Sequence, residues 1–284
     1  MVLYWLKWKR IGRLAHRRQT APALHDNGVM PLATARRLTG QDRTRSANRQ
    51  LGAALAFIAG ATNAGAFLAV QQYTSHMTGV VSSLADHLVL GQYGLALAAL
   101  GALLSFVIGA ATTAVLVNLA RRRGLTSLYA LPLLLEAVLL LLFGLVGAWL
   151  SGLHGLFVPA TVMLLCFTMG LQNAVITKIS RAEIRTTHVT GLVTDLGIEL
   201  GKLLYWNRLQ HDPALHVAAD RQRLVVLGAL VGAFLLGGVV GAFGFQRLGY
   251  ATTLPLALIL VWLAGVPAAD DLLQLRRPNS SPPR

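Results

Sequence analysis

Six apolar blocks govern what this chain can become: residues 51–70, 95–120, 128–150, 156–176, 224–245 and 251–266. Several reach or exceed the roughly 20 residues a helix needs to cross a hydrocarbon core of about 30 Å, and the last is the shortest. Lipid offers no hydrogen-bond partners to a backbone, so each block must satisfy its own N–H and C=O groups as a helix. Only 13% of the residues are charged and 55% are hydrophobic, against about 25% charged in a soluble domain. The expected fold class is an all-α integral membrane protein.

The net charge of +14 invites a nucleic-acid reading, but its distribution does not support one. Eleven of the 25 basic residues precede residue 50, and most others occupy short loops between apolar blocks. Loop Lys and Arg set membrane orientation, so no nucleic-acid partner is expected. Residues 1–50 contain no uninterrupted apolar stretch of the kind a secretory signal needs. Their opening, MVLYWLKWKRIGRL, mixes aromatic and basic side chains and suits an anionic lipid surface. The expected layout has four parts. Residues 1–50 form a basic, partly disordered cytoplasmic tail, with Met30 an alternative start. Two membrane units cover 51–151 and 152–268, and 269–284 form a cytoplasmic C-terminal tail. Cys166 is the single cysteine and lies in an apolar block, which leaves no intrachain disulfide.

Orientation follows from the same basic residues. With a cytoplasmic N-terminus and six crossings, 24 of the 25 fall inside and only Arg247 falls outside. If the polar segments after residues 70 and 176 also crossed, seven would lie outside. Six crossings satisfy the positive-inside rule better. Those two segments are therefore expected to lie at the interface, or to enter the membrane and return.

Both segments carry one pattern, SHMTGV at 75–80 and THVTGL at 187–192. Further landmarks repeat around them in the same order. Gly60, Asn63 and Ala64 precede His76, Thr78 and Gly79; Gly170, Asn173 and Ala174 precede His188, Thr190 and Gly191. Gly101 with Leu103, then Tyr129 with Pro132, match Gly228 with Leu230, then Tyr250 with Pro255. The repeated unit is span, motif segment, span, span. Three crossings per unit turn the second copy upside down. Inverted repeats with discontinuous helices recur in secondary transporters, which bind near the bilayer midplane.

As helices, the motif segments have a polar seam: His76, Gly79, Ser83 and His87 in the first, and His188, Gly191, Asp195, Glu199 and Lys202 in the second. Hydroxyls at such a start can cap backbone N–H groups. A glycine permits close approach, the helix N-terminus favours an anion, and histidine can exchange a proton near neutral pH. The alternative is a water-facing interfacial helix whose motif only shapes a turn. Inside the spans, Asn63 and Asn173 obey the repeat and either bind substrate or join helices. Glu136 breaks the repeat and lies near mid-membrane, where an ionisable group is a functional candidate. Small-residue rows at Gly101, Ser105, Gly109 and Thr113, at Gly228 and Gly232, and at Gly237 and Gly241 are expected to be helix seams. The sequence holds no nucleotide loop and no Cys/His metal cluster.

GATNAGAFLAVQQYTSHMTGVV at 60–81 and GLQNAVITKISRAEIRTTHVTGLVTDL at 170–196 resemble the YoaK-like family of multi-pass bacterial membrane proteins. The resemblance covers about 51–265 and implies an integral inner-membrane protein without assigning an activity. The family often has Asp where this chain has Asn63, and Asn where it has Val80. A proton-carrying carboxylate at the first position is therefore absent here. Glu136, Asp195 and Glu199 remain to carry coupling charge.

The expectation is six spans in two inverted three-span repeats, working as a small secondary transporter or permease in the bacterial inner membrane, both termini cytoplasmic. Asn63, His76, Thr78, Gly79, Asn173, His188, Thr190 and Gly191 would bind an unknown small solute. No enzyme activity, cofactor or metal is expected. The bilayer, with anionic lipids at the basic tail, is the expected partner, and a homo-oligomer is compatible with the pattern. The rival expectations are a non-transporting membrane scaffold or assembly factor and an intramembrane enzyme acting on lipid.

Overall fold

A computed structural model describes residues 45–125, 127–150, 154–179, 189–205 and 217–276. Residues 1–44 of the basic tail and His188 lie outside them; residues 45–50, expected in the tail, begin the first helix. Among the described residues all regular structure is helical: α1 (Arg45–Val70), α2 (Met77–Val89), α3 (Tyr93–Arg122), α4 (Ala130–Leu150), α5 (His154–Ile179), α6 (Val189–Leu204), α7 (Arg221–Leu248) and α8 (Thr253–Arg276). A 3-10 turn, Gly249–Thr252, joins the last two.

Five helical stretches are long and apolar enough to cross a membrane: Ser46–Val70, Tyr93–Arg122, Ala130–Trp149, Val158–Ile179 and Arg221–Asp271. The last runs for 51 residues. At 1.5 Å per residue an unbroken helix of that length would extend about 76 Å, over twice a hydrocarbon core. Gly249 breaks it with φ 57°, a backbone state that glycine adopts at little cost. Large apolar side chains such as Val115, Leu236 and Leu258 are exposed on these helices. That is the surface of a multi-pass membrane protein, whose solvent is lipid.

The helices pair in a regular way. α1 packs along α7, α3 along α5, and α4 along α8. The α1–α7 pair is parallel, because Gly241 meets Ala61 and Gly65 meets the Phe245 ring, one constant register along both helices. The α3–α5 pair is parallel too. Gly101 meets Met163, and further along Thr113 Oγ1 donates to the Leu171 carbonyl at 2.8 Å. The α4–α8 pair is antiparallel. Gly144 and Gly147 meet Thr253 and Tyr250 at one end. At the other, the backbone N–H of Ser127 donates to Asp271 Oδ2 at 3.0 Å and its hydroxyl donates to the same oxygen.

Both parallel crossings use one device. A Cβ added to Gly60 would stand 2.0 Å from the Phe234 carbonyl oxygen, and one on Gly237 would stand 2.0 Å from that of Phe57. Gly109 and Phe167, and Gly170 and Phe106, repeat the pattern at the same 2.0 Å. Each of the four sites reads Phe-x-x-Gly. Only a missing side chain lets these backbones approach so closely. The row at Gly237 and Gly241 is thus a seam, as expected. Gly228 and Gly232 are not, since among the described residues a Cβ on either would meet nothing within 4 Å. Spacing alone marks a small-residue row but not the face to which a neighbour is bound.

Candidate functional site at the first motif

The chain leaves α1 through Gln71, a non-glycine residue at φ 55°, and folds back onto the helix it has left. The Tyr73 ring stacks on Phe67 with centroids 4.7 Å apart, and Ser75 Oγ donates to Asn63 Oδ1 at 3.1 Å. Thr74 is buried, and its hydroxyl has no hydrogen-bond partner among the described residues. His76 is the N-cap of α2 but makes no side-chain cap bond. Asn63 therefore anchors the motif from within α1.

α2 packs on α3, with Met77 and Val80 against a buried cluster of Val70, Ala102, Val162 and Cys166. Its far end returns to α3 through residues 90–92, where His87 Nδ1 donates to Gln92 Oε1 at 2.7 Å. The two helices thus form an antiparallel hairpin. α1 stops at the level of Ala102, nine residues or about 13 Å short of the start of α3. α2 covers the remaining length, and the motif is the break between them.

A cavity of about 810 Å³ opens between α2, α3 and the start of α5. His76, Gly79, Ser83 and His87, the seam expected from the sequence, all line it, opposite Leu97, Leu104 and Val162. Gly79 lies under the His76 imidazole: a Cβ there would stand 2.3 Å from the ring carbon Cδ2. The glycine of the motif provides room for its histidine. His76 and His87 are about 16 Å apart along α2, so the two rings cannot share an ion. Among the described residues no three His, Cys, Asp or Glu side chains are grouped to hold a metal.

The second motif lies at the other end of the bundle. Leu192 of α6 clusters with Ala56, Leu227 and Leu230. Ala56 lies 14 residues, or about 21 Å along α1, from Val70. Thr190 and Gly191 are exposed there. Asp195 pairs with Arg223 at 2.9 Å. Glu199 is buried; it accepts from Lys202 Nζ at 2.9 Å and from the backbone N–H of Asp220 at 2.9 Å. These two carboxylates fasten α6 to the start of α7. The hydrogen bond from Lys202, then that from the Asp220 N–H, holds Glu199 below its ordinary value of 4.5. A depressed folded value contributes stability that is fully present above the unfolded value and is lost as pH falls through the folded one. The protection factors of the α6 amides, exchange rates corrected for the intrinsic rate at each pH, should therefore be high at neutral pH and fall under acid, at a pH below 4.5. Glu199→Gln should lower them already at neutral pH and leave them less responsive to acid; an unchanged profile would separate Glu199 from the fastening.

Thr78 is exposed on α2, and Asn173 is buried in α5. Gln172, its neighbour, donates from Nε2 to the Leu55 carbonyl at 3.2 Å and so joins α5 to α1. Glu136 is fully buried in α4, and neither carboxyl oxygen has a hydrogen-bond partner among the described residues. The residues expected at one central site thus separate into a group around the first motif, a group at the opposite end, and Glu136 within the bundle. Sequence reading missed the four Phe-x-x-Gly sites, although their identical spacing was visible.

Comparisons with curated proteins and with solved structures find no match. One family does match, described as a protein of unknown function, over residues 51–266. That range holds both motifs, the groove and the glycine crossings described above, and by it this chain belongs to the DUF1275 family, in keeping with the YoaK-like resemblance of its motifs.

Proposed function

We propose that the chain is a small secondary transporter or permease of the bacterial inner membrane, with six crossings in two inverted three-span repeats and cytoplasmic termini. The reading rests on the reciprocal Phe-x-x-Gly crossings: α1 of the first unit packs on α7 of the second, and α5 of the second on α3 of the first. An exchange of partners between equivalent helices is what an inverted two-fold relation requires. The pairing of α4 with α8, equivalent to equivalent, agrees with it. So do the two satellite clusters, where Phe106 and Phe234 flank the bases of α2 and α6. Gly249 separates α7 from α8 as the fifth and sixth spans. Arg49, Arg121, Lys178 and Arg221 lie at the α6 end, which the positive-inside rule assigns to the cytoplasm.

In this reading the groove beside α2 is the entry to a solute site at the break after α1, and the start of α6 at the opposite end of the bundle serves the other face. Transporters place such broken helices where substrate binds. Asp195 and Glu199 are engaged in ion pairs, so coupling falls to Glu136, which takes a proton from one face and releases it to the other as access alternates. Anionic lipids would meet the basic N-terminal tail.

Cysteine labelling tests the arrangement. In a Cys166→Ser background, Thr78→Cys should react with an impermeant maleimide from the outside of intact cells and Thr190→Cys only after permeabilisation. Labelling of both from one side would end the inverted-repeat reading.

A further inference from the structure

Three features of the groove beside α2 point to one class of occupant. Its walls are mostly aliphatic, from Leu97, Leu100 and Leu104 on α3 and Val158, Val162 and Met163 on α5. Among the described residues its polar lining consists of Gln72, Tyr73, His76, Ser83 and His87, with no carboxylate, Lys or Arg. At its inner end α2 begins without a side-chain cap. Among the described residues the amides of Thr78 and Gly79 have no backbone acceptor, and Gly79 and His76 of this turn line the groove. A helix start with open amides attracts negative charge, and His76 adds an N–H donor beside it. A cation would meet no counter-charge on these walls and would face the positive end of the helix.

We propose that the groove binds a small monocarboxylate with an apolar body, its carboxylate at the His76 turn and its hydrocarbon between α3 and α5. The volume of about 810 Å³ falls within the roughly 300–1,000 Å³ of small-molecule sites, which join apolar walls to a few polar groups. The inference rests on the transport reading and supplies its substrate class. Exclusion of cations follows from the same geometry, because the preference arises from backbone dipoles that a side-chain change does not remove.

The test is equilibrium binding to the purified full-length protein in amphipol, with radiolabelled benzoate as probe and benzyl alcohol and benzylamine as competitors. Benzoate should bind saturably, unlabelled benzoate should compete at least tenfold better than benzyl alcohol, and benzylamine should not compete. His76→Phe keeps a ring over Gly79 but removes the donor, and should weaken benzoate about tenfold while leaving benzyl alcohol competition unchanged. Ala98→Trp fills the exposed wall of the groove and should weaken both; its thermal unfolding should match that of the parent. Competition by benzylamine equal to that of benzoate would overturn the proposal, as would benzoate binding indifferent to both substitutions. Uptake into proteoliposomes is read separately. Binding without uptake would remove the transport reading, whereas His76-dependent uptake of amines with no benzoate binding would keep transport and remove the carboxylate.

Discussion

Replacing Gly170 with Ala should open the α3–α5 crossing and lower the midpoint of thermal unfolding by about 10 °C. The added Cβ would stand 2.0 Å from the Phe106 carbonyl oxygen and 2.8 Å from the carbon of that carbonyl. Backbone cannot rotate aside as a side chain can, so the helices must separate. Separation also stretches the bond from Thr113 Oγ1 to the Leu171 carbonyl. Overpacking of this kind costs about 1–3 kcal/mol and at times more, and a helix pair joined along its length is at the upper end. Against about 2–4 °C per kcal/mol for a chain of this size, the expected shift follows. Gly60→Ala should behave alike at the α1–α7 crossing. Gly228→Ala and Gly232→Ala are the controls. Neither meets a neighbour, and Ala is favoured over Gly within a helix by about 1 kcal/mol, so both should match or exceed the parent. Equal tolerance of Gly170→Ala and Gly228→Ala would refute the close crossing.

On the proposed transport reading, Glu136→Leu should have two opposite effects, raising thermal stability and abolishing coupled uptake. The side chain is fully buried and its two oxygens have no partner among the described residues. A buried polar group without a hydrogen bond costs about 1–3 kcal/mol on protein mutational scales, and Leu removes that cost while conserving most of the volume. The chain retains the acid at a price in stability, which is the pattern expected of a functional group in a membrane interior. Proton-driven uptake into proteoliposomes separates the roles. Glu136→Gln should lose acceleration by a pH gradient yet retain exchange of solute across the membrane. Should both variants be driven by the gradient like the parent, Glu136 is not the coupling group.

The helices and their order were legible because the signal was local. The apolar blocks meet the observed helices closely, from the block at 51–70 within α1 to the block at 224–245 within α7. The polar seam of the first motif was legible as well: His76, Gly79, Ser83 and His87 repeat at helical spacing and line one groove. Other partners were not. Asn63 and Asn173 looked alike in sequence, yet Asn63 accepts from Ser75 whereas Asn173 is buried in α5. Asp195 and Glu199 were candidates for coupling charge on a seam shared with Lys202, and the structure engages them with Arg223, Lys202 and the Asp220 N–H. Each of these contacts depends on where a distant segment returns.

What the sequence determined by itself was the solvent and the secondary structure. Apolar blocks of membrane length must be helices, since the backbone has no other source of hydrogen bonds in lipid. What only the tertiary structure decided was pairing. Four Phe-x-x-Gly sites are chemically equivalent along the chain, and nothing local says which glycine receives which carbonyl. The choice of α1 with α7 and α3 with α5 was made by steric fit between backbones that are more than fifty residues apart. The turn at Gln71 then brings the first copy of the hexapeptide against α3, where His76 and Gly79 line a groove.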